Sequence, residues 1–239
     1  MKKFSFVIPC YNEEDNIPLI LERISSMTDN FDDLEVILVD NGSKDNSSAV
    51  FSSLLADGKY PYIKLVEVKE NKGYGFGILS GLKEATGQFL GWTHADMQTD
   101  PADLLKAYEL IKTAKDPQNT FVKGVRKKRS FLDVFFTFGM TILSSLALRC
   151  WLSDVNAQPK VFSRKFYEEF DSPPFDFSLD LYVLYLSKVK GCVQLSMPVF
   201  FAKRLHGEAK GGGSLKTKWP LIKRTFEYIF KLRRELKTR

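Results

Sequence analysis

Short continuous apolar runs alternate with more polar stretches along the first part of the chain. The runs are FSFVIP (4–9), LEVILVD (34–40), YIKLVEV (62–68) and QFLGW (88–92). Such runs are typical of strands buried on both faces of a parallel sheet. Helices are predicted between them, and Asn12 is the expected N-cap of the first helix, with Glu13, Glu14 and Asp15 in its first turn.

The second half of the chain repeats these patterns less regularly. Two further strands are predicted, TFVKGV (120–125) and CVQLSMPVFFA (192–202), and three helices, at 131–152, 180–191 and 216–236. The first of these helices is apolar nearly all round, whereas the last is basic and amphipathic. The βαβαβαβ order of the first part predicts an α/β fold with a mostly parallel, Rossmann-like sheet flanked by helices.

Composition and charge narrow the class of protein. The chain has 239 residues, is 44% hydrophobic and carries a formal net charge of +6, which favours an anionic partner. Its cysteines, Cys10, Cys150 and Cys192, lack disulfide spacing and indicate a reducing compartment. The basic clusters belong to no recognised nucleic-acid module, so no nucleic-acid partner is expected. The absence of G-K-[ST] and G-x-G-x-x-G elements argues against P-loop and dinucleotide-dependent enzymes.

Polar side chains follow the fourth predicted strand at every second position. In HADMQTDP, the side chains of His94, Asp96, Gln98 and Asp100 point the same way if the chain is extended. Taken alone, this alternation is typical of a solvated strand end. The loops after the other parallel strands end at the same sheet edge, so the loops together predict a binding crevice. Asp100 and Pro101 are expected to start the next helix, with Asp100 as its cap.

The polar residues of this crevice suit a nucleotide diphosphate. Those suited to stacking on a base or reading its edge are Tyr11, Glu13 and Asn41. Those suited to a divalent ion that bridges two phosphates are His94, Asp96 and Gln98. Those suited to neutralising phosphate charge are Lys72, Arg126 and Arg129.

With these motifs the chain resembles the family 2 glycosyltransferases of the GT-A fold, and most of all the dolichyl- or polyprenyl-phosphate sugar synthase branch. The matching pieces are VIPCYNEEDNI, VDNGSKD, NKGYGFGILSG, HADMQTDP, GVRKKR and KRLHGEAK. The resemblance implies a GT-A domain over 1–214, with a nucleotide-sugar-binding half at 1–124 and an acceptor-side half at 125–214. A basic amphipathic C-terminal helix over 215–239 would follow it.

The resemblance also implies an activity and residue roles. The activity is inverting, metal-dependent transfer of a sugar from a nucleotide-diphosphate donor to a polyprenyl-phosphate acceptor. By match, the base and ribose would be surrounded by Pro9, Tyr11, Glu13 and Asn41, and Asp40 joins this substrate-binding set. The phosphates of donor or acceptor would be bound by Arg126, Arg129, Arg204 and Lys210. Asp96 falls on the usual direct metal ligand, and the expected catalytic residues are Asp96, Asp154 and Arg126.

His94 stands where the family has the first acid of its D-x-D element. This change removes a negative charge and offers a nitrogen ligand, which suits Mn²⁺ better than Mg²⁺. The expected cofactor is Mn²⁺ or Mg²⁺, with higher activity in Mn²⁺. A ligating histidine must be neutral, so activity is expected to fall as the pH drops through about 6.5. In the alternative, His94 bonds only the ribose or a water molecule.

Asn41 stands where the family commonly has a second aspartate. A carboxylate only accepts hydrogen bonds, which suits the N–H groups of uracil or guanine, whereas an amide both donates and accepts. A UDP- or GDP-sugar is therefore the expected donor, and a CDP-sugar is the alternative that the amide raises.

The nature of the acceptor decides whether a catalytic base is needed. A lipid phosphate is already ionised at neutral pH, so positioning and charge stabilisation would suffice. A hydroxyl of a surface-glycan intermediate would need a base, for which Asp154 is the first choice and Asp180 the second. Both also have structural interpretations, Asp154 as a cap and Asp180 as a first-turn acid. Changes at His94 and Asn41 leave a non-catalytic nucleotide- or lipid-binding homologue as a further alternative.

Two helices suggest contact with an anionic membrane surface. The predicted helix at 131–152 is either a core helix or one that lies at the bilayer surface and guides a polyprenyl chain. The terminal helix combines Trp219, Phe226 and Tyr228 with many lysines and arginines. No run has the length and apolar character of a membrane span. We expect a cytoplasmic protein that lies peripherally on the inner face of the cell membrane.

Overall fold

The chain folds around a seven-stranded sheet, in a computed structural model that describes residues 2–27, 32–127, 142, 144–202, 223 and 227–234. The strands are β1 (Phe4–Cys10), β2 (Leu34–Asp40), β3 (Ile63–Glu67), β4 (Phe89–Trp92), β5 (Thr120–Lys127), β6 (Lys160–Ser163) and β7 (Val193–Phe200). The helices are α1 (Asn16–Ser25), α2 (Ser47–Leu55), α3 (Tyr74–Glu84), α4 (Asp103–Lys112), α5 (Arg164–Tyr167) and α6 (Leu179–Val189).

The sheet is mostly parallel, as the sequence predicts. Its order is β3-β2-β1-β4-β6-β5-β7, with β6 antiparallel to both of its neighbours. Cys10 at the end of β1 pairs with Asp40 at the end of β2, so the loops after these strands start side by side. The expected division of the domain at 124/125 falls inside β5, so the two halves share one sheet.

Apolar residues pack against both faces of the central strands β1, β2 and β4, and the sequences of these strands are accordingly almost continuous apolar runs. Phe4, Phe6 and Ile8 of β1 join the core under α1 and α4, whereas Val7 joins the core under α3 and α6. All four side chains are inaccessible to solvent. Burial on both faces is the environment that continuous Val, Ile and Phe runs indicate.

The predicted start of α1 is wrong, because Asn12 does not cap it. Asn12 has a φ of 56° and its Oδ1 accepts a hydrogen bond from the Lys44 N–H at 2.8 Å. α1 begins four residues later, after Asp15, and no acid lies in its first turn. The side chain of Asn12, which would be favourable as an N-cap, instead connects the loop after β1 to the loop after β2 by a hydrogen bond.

Asp100 likewise does not occupy the N-cap position of α4. The helix begins at Asp103 after Ala102, and Asp100 Oδ1 accepts a hydrogen bond from the Ala102 N–H at 2.9 Å. Its carboxylate also forms an ion pair of 2.7 Å with Arg23 of α1. Asp100 therefore joins two helices and closes the turn that precedes α4.

The helix predicted at 131–152 ends earlier than expected. Residues 144–148 are helical, and a turn follows at Arg149, which has a φ of 54°. Leu148 and Leu152 are buried, whereas Leu146 is 72% and Trp151 61% exposed. Residues 131–141 and 143 of the predicted helix lie outside the described part of the chain.

The described part of the terminal helix, residues 227–234, packs on the domain. Ile229 and Leu232 are buried in the core that α3 and α6 share, whereas Phe230 is 54% exposed. Of the helices in the described residues, none has the length and apolar character that crossing a bilayer requires.

Candidate active site

The loops after β1 and β2 form one wall of a crevice at the carboxyl edge of the sheet. The Asn41 N–H donates to the Cys10 carbonyl oxygen at 2.8 Å, and the Glu13 N–H donates to Ser47 Oγ at 2.9 Å. Glu13 Oε2 accepts from Asn16 Nδ2 at 2.6 Å, which fixes this carboxylate at the start of α1. The structure thus brings the loop that carries Glu13 against the loop that carries Asn41, as the sequence predicts.

The side chain of Asn41 presents a hydrogen-bond acceptor. Asn41 is only 2% exposed, and its Nδ2 donates to the Gly73 carbonyl oxygen at 3.0 Å. Its Oδ1 is buried and has no hydrogen-bond partner in the part of the chain that the structure describes. The opposite amide orientation would set two oxygens against each other, so the contact with Gly73 assigns which atom is which. A buried acceptor without a protein partner is costly unless a ligand or a water molecule donates to it, so Asn41 Oδ1 is able to accept an N–H from a bound base.

Other residues of the predicted substrate set lie around this wall. Asp40 is buried, and its Oδ1 accepts from the Ser43 N–H at 3.0 Å, which shapes the turn after β2. Pro9 and Tyr11 are half-buried on either side of Cys10. Lys72 is exposed beside the ring of Phe76, with its ammonium 5.4 Å from the ring centroid.

Lys72 also lines a cavity of about 500 Å³ at the start of α3. The other lining residues are Pro174, Phe175, Asp176, Ser178, Glu227, Tyr228 and Lys231. Lys72 therefore lies at a side of the glycine-rich turn that faces the terminal helix.

The loop after β4 turns sharply instead of continuing as an extended strand. β4 ends at Trp92, and Met97 has a φ of 55°. Asp96 Oδ1 accepts from the Gln98 N–H at 3.1 Å, which closes a tight turn around Met97. The expectation that four alternating side chains share one extended face is therefore wrong, and Asp100 lies against Arg23 instead.

Gln98 connects this turn to the other end of the sheet. Its Nε2 donates to the Ala202 carbonyl oxygen at 3.1 Å, and the Ala202 N–H donates to the Gln98 carbonyl oxygen at 2.8 Å. The amide nitrogen of Gln98 faces a carbonyl oxygen, so Oε1 is the side-chain atom that can bind a cation.

The surroundings of His94 favour a neutral imidazole. Burial lowers the pKa of His94 below its usual value, against the opposing effects of the Asp96 and Asp180 carboxylates. The ring lies 5.4 Å from that of Tyr74, centroid to centroid, and burial raises the pKa of the Tyr74 phenol well above its usual value. Both groups are uncharged at neutral pH, so His94 offers a nitrogen lone pair.

The donor chemistry of this turn fits a divalent cation with a mixed nitrogen and oxygen ligand set. In the described residues, no three His, Cys, Asp or Glu side chains converge into a site that could hold a metal by themselves. The available set is the His94 nitrogen, the Asp96 carboxylate and Gln98 Oε1, which leaves room for oxygen ligands from a substrate or water. Such a set suits Mn²⁺ better than Mg²⁺, which prefers oxygen.

Arg126 is held at the end of β5 by Asp154. Its Nε donates to Asp154 Oδ1 at 2.8 Å and its backbone N–H donates to Asp154 Oδ2 at 2.7 Å. The guanidinium also lies 5.4 Å from the centroid of the Phe201 ring. The arginine is thus oriented from two sides, and the pair is mostly buried, with side-chain exposures of 13% and 11%. The other predicted cations, Arg129, Arg204 and Lys210, lie outside the described residues.

Beneath these loops lies a buried ion pair between Asp180, the second choice for a catalytic base, and Lys160, which the motifs did not reveal. Lys160 Nζ lies 2.7 Å from Asp180 Oδ1, and neither side chain is more than 1% exposed. Gln158 Nε2 donates to Asp180 Oδ1 at 3.0 Å and to the Tyr74 hydroxyl at 3.2 Å. The signal that could have found this network is a lysine inside an apolar run, since an unpaired buried charge is very unfavourable.

Lys123 of β5 is a second buried lysine that the motifs did not reveal. Its Nζ donates to the Ser153 carbonyl oxygen, and burial lowers the pKa of Lys123 to about 8. It too lies inside an apolar run, TFVKGV, and residue type alone does not show that such a lysine faces inward.

A mostly parallel sheet with polar loops at the carboxyl ends of its strands defines an α/β protein that binds its ligand at that edge. Within this class the chain belongs to glycosyl transferase family 2, whose model matches residues 5–170. The family expected from the motifs is thereby confirmed.

Two curated relatives are polyprenyl-phosphate sugar transferases. The chain is 34% identical over 130 residues to an undecaprenyl-phosphate 4-deoxy-4-formamido-L-arabinose transferase of Photorhabdus laumondii, covering 53% of this chain and 38% of the relative. It is 27% identical over 241 residues to a dolichol-phosphate mannosyltransferase of Pyrococcus furiosus, covering 98% and 64%. The chain thus spans less than two thirds of the length of either relative.

A solved structure shares the fold. It is a mannosyltransferase from Pyrobaculum calidifontis in complex with GDP-Man and Mn²⁺, with a TM-score of 0.63 and 23% identity over 87% of this chain and 58% of that one. This similarity confirms the expected GT-A fold of the chain.

Proposed function

We propose that this chain transfers a sugar from a nucleotide-diphosphate donor to a polyprenyl phosphate, with inversion at the anomeric carbon. The observation that carries the proposal is the gathering of Asn41, the His94–Gln98 turn and Arg126 at one edge of the sheet. These three features offer a base contact, a cation site and a phosphate contact. The family relatives named for transfer to undecaprenyl and dolichol phosphates support the acceptor class.

The proposed donor is a UDP- or GDP-sugar. Asn41 Oδ1 is the buried acceptor that an N–H of uracil or guanine satisfies. One of the two N–H groups of the Asn41 amide donates to the Gly73 carbonyl oxygen, and Oδ1 is the amide atom that has no partner in the described residues. This acceptor supports a UDP- or GDP-sugar, and the second N–H group keeps a CDP-sugar as the alternative.

The proposed cation ligands are His94, Asp96 and Gln98, with Mn²⁺ preferred over Mg²⁺. These residues would hold a divalent ion, which would neutralise negative charge on the diphosphate leaving group. The contact of Gln98 with Ala202 holds its amide in one orientation, and the turn around Met97 holds Asp96. These residues are thus preorganised, which reduces the reorganisation needed when the donor binds.

The proposed role of Arg126 is to bind and orient a phosphate of the donor or acceptor. A guanidinium suits phosphate because it offers several N–H donors in a fixed plane. In the reaction an acceptor phosphate oxygen bonds to the anomeric carbon as the bond from that carbon to the diphosphate oxygen breaks. The phosphate is already ionised, so this step needs no base.

Asp154 is better suited to orienting Arg126 than to acting as a base. Both of its carboxylate oxygens accept hydrogen bonds from Arg126, so the carboxylate is already engaged in holding that side chain. We therefore place Asp154 among the positioning residues, and keep Asp96 and Arg126 as the groups that act on the substrate or its cation.

The chain is proposed to lie peripherally on the inner face of an anionic membrane. Leu146 and Trp151 expose large apolar surfaces beside the helical residues 144–148, and Phe230 does so on the terminal helix. Exposed apolar groups near basic residues suit the interface of an anionic bilayer. A polyprenyl chain would reach the crevice from that surface.

The proposal is tested by measuring sugar transfer by the purified chain. UDP- and GDP-sugars are supplied with Mn²⁺, with and without a short polyprenyl phosphate, beside an Asp96→Ala variant. Lipid-dependent transfer that the variant lacks is the expected result. Nucleotide binding without lipid-dependent turnover would indicate that the acceptor is a glycan hydroxyl. Failure to bind any nucleotide diphosphate would contradict the proposed function.

A further inference from the structure

The segment 153–159 is attached to β5 at three successive points. Lys123 Nζ donates to the Ser153 carbonyl oxygen, the Gly124 N–H donates to the Pro159 carbonyl oxygen at 2.9 Å, and Arg126 binds Asp154. Lys123 and Arg126 therefore bind adjacent residues of this segment, one by its carbonyl and one by its carboxylate.

Gly124 shows how closely the segment lies against the strand. A Cβ added at Gly124 would lie 2.0 Å from the Gln158 carbonyl oxygen, which no side chain permits. Gln158, near the end of the segment, thus lies directly against the backbone of β5.

Two buried lysines provide the positive charge under the segment. Lys123 of β5 and Lys160 of β6 are direct partners in the antiparallel register, so their side chains lie on the same face of the sheet. Lys160 donates to the carbonyl oxygens of Val155 at 3.0 Å and Ala157 at 3.2 Å. The two ammonium groups thus bind carbonyls along the length of the segment.

The two lysines differ in their carboxylate partners. Lys160 has Asp180 at 2.7 Å, whereas in the described residues the Lys123 ammonium donates to the carbonyl oxygen of Ser153 and lies 3.4 Å from its hydroxyl. Asp154, the nearest acid on the segment, is bound by Arg126. Among Lys123, Lys160 and Arg126, Lys123 is thus the residue whose positive charge is least compensated by a carboxylate.

We propose that Lys123 is a positioning residue for sugar transfer: its buried ammonium holds Ser153, and thereby sets the Asp154 carboxylate that orients Arg126. This inference rests on the proposed role of Arg126 in binding phosphate. Lys123 itself does not contact the substrate, because its Nζ lies under the segment and only 3% of the residue is exposed.

The arrangement makes the positioning sensitive to alkaline pH. The charged groups that act on Lys123 are Lys160 of β6, Asp154 of the segment, Lys188 of α6 and Arg126 of β5. Burial and the neighbouring cations lower the pKa of Lys123 to about 8, so the ammonium is lost as the pH rises through that value. An amine holds the Ser153 carbonyl less strongly than an ammonium does, so transfer declines on the alkaline side.

The decline of activity at alkaline pH can be distinguished from unfolding, because the contribution of Lys123 to stability changes in the opposite direction. The pKa of Lys123 is lower in the folded chain than in the unfolded chain, where it is near 10.5. Between these two values the unfolded chain binds more protons, so the contribution of Lys123 to the stability of the fold increases with pH. Activity and this contribution to stability therefore change in opposite directions above pH 8.

The test compares the wild type with Lys123→Met and Lys123→Arg. In the wild type we expect kcat for transfer to fall at least tenfold between pH 7 and pH 10, with a midpoint near 8. Lys123→Met should lower kcat at pH 7 at least tenfold and lose this alkaline limb, whereas Lys123→Arg keeps the charge and should move the limb upward. An unchanged limb in Lys123→Arg, or wild-type kcat in Lys123→Met, would overturn the proposal.

Hydrogen exchange provides a readout that needs no substrate. Peptides that cover 153–157 and 124–127 should exchange faster in Lys123→Met than in the wild type at the same pH, since Arg126 N–H protection depends on Asp154. Unchanged exchange would overturn the positioning role even if transfer is found. If exchange is faster in Lys123→Met but the chain transfers no sugar, the positioning role of Lys123 stands and the proposed function is contradicted.

A matched control is the same substitution on the surface. Lys64 forms an ion pair with Glu84 in which both side chains are 44% exposed. Lys64→Met should leave the pH profile and the exchange of 153–157 unchanged. If Lys123→Met does not fold, the wild-type profile and Lys123→Arg decide the question by themselves.

Discussion

Arg126 and Asp154, which are 28 residues apart in the chain, are joined through the guanidinium and through the backbone at once. Asp154 Oδ1 accepts from the side chain of Arg126 and Oδ2 accepts from its backbone N–H. Asp154 adopts a left-handed conformation with a φ of 45° to make both contacts. A non-glycine residue held in this way indicates that the surrounding structure fixes the carboxylate in place.

The first prediction concerns this pair. Asp154→Asn leaves a mostly buried guanidinium without its counter-charge, which typically destabilises a fold by about 3 kcal/mol. We also expect transfer to fall at least tenfold, because Arg126 is no longer oriented. Denaturant unfolding and initial rates measure the two effects.

A surface pair provides the control for the Asp154 variant. Lys3 and Asp33 form an ion pair with side chains 59% and 48% exposed, so Asp33→Asn should leave the stability of the fold nearly unchanged. If Asp154→Asn retained full stability and lost activity only with a hydroxyl acceptor, Asp154 would be the base and not a positioning residue.

Sequence patterns predicted the central strands well because β1, β2 and β4 are buried on both faces and are therefore almost continuous apolar runs. The edge strands β3 and β7 are partly exposed and carry polar or charged residues, but each has enough apolar residues to be predicted as a strand. β6 escaped notice because it has four residues and begins with Lys160, which reads as a surface residue. Only its pairing with Asp180 makes that lysine compatible with the interior.

The site was predictable in its residues but not in their pairing. The motifs found Asn41, Asp96 and Arg126, since Asn41 and Asp96 follow strands and Arg126 lies at the end of one, all at the same sheet edge. They did not show that Asn41 gives its N–H to Gly73, or that Asp100 leaves the crevice for Arg23. Those contacts join residues at least 32 positions apart, and no local periodicity encodes such distances.

Asp180 is predicted to be structural and not a catalytic base. Its Oδ1 is bound by both Lys160 and Gln158, and the pair is inaccessible to solvent. Asp180→Asn should destabilise the fold by about 3–5 kcal/mol, because it leaves a buried ammonium uncompensated. The double variant Lys160→Met/Asp180→Leu should recover much of that loss. Activity loss at unchanged stability in Asp180→Asn would contradict this assignment.

His94 is predicted to determine the choice of metal. His94→Asp replaces a nitrogen ligand with an oxygen ligand and restores a negative charge, both of which favour Mg²⁺. The ratio of initial rates in Mn²⁺ and Mg²⁺ should therefore be above one in the wild type and fall in His94→Asp. Asp96→Ala should lose activity with both ions. A ratio that His94→Asp leaves unchanged would mean that His94 bonds the ribose or a water instead.

The acid limb of activity is predicted to lie below pH 6.5. A ligating histidine must be neutral, and burial lowers the pKa of His94, so the neutral form persists to a lower pH than in an exposed histidine. The sequence alone placed this limb at about 6.5, the ordinary histidine value. A pH–rate profile in saturating Mn²⁺ measures it, and a midpoint above 6.5 would contradict the effect of burial on this residue.

Substitutions at two glycines one turn apart on α3 should distinguish an effect on nucleotide binding from an effect on the stability of the fold. A Cβ at Gly77 would lie 2.8 Å from the Asn41 amide, whereas a Cβ at Gly81 would lie 2.4 Å from Val7 Cγ1 in the core. Gly77→Ala should therefore displace Asn41 and raise the Kd of UDP or GDP at least tenfold. Gly81→Ala should destabilise the fold by about 1–3 kcal/mol through overpacking, with the Kd of the folded protein unchanged.

The helix propensity of the new residue is the same in both variants, so it cancels from the comparison. Alanine is favoured over glycine inside a helix by about 1 kcal/mol, which partly offsets the steric cost at each position. The difference between the two variants then reports what each glycine faces: a polar side chain of the crevice at Gly77 and the sheet at Gly81. Calorimetric titration with UDP and GDP, beside denaturant unfolding, measures both quantities. Equal changes in Kd for the two variants would show that Asn41 does not contact the nucleotide.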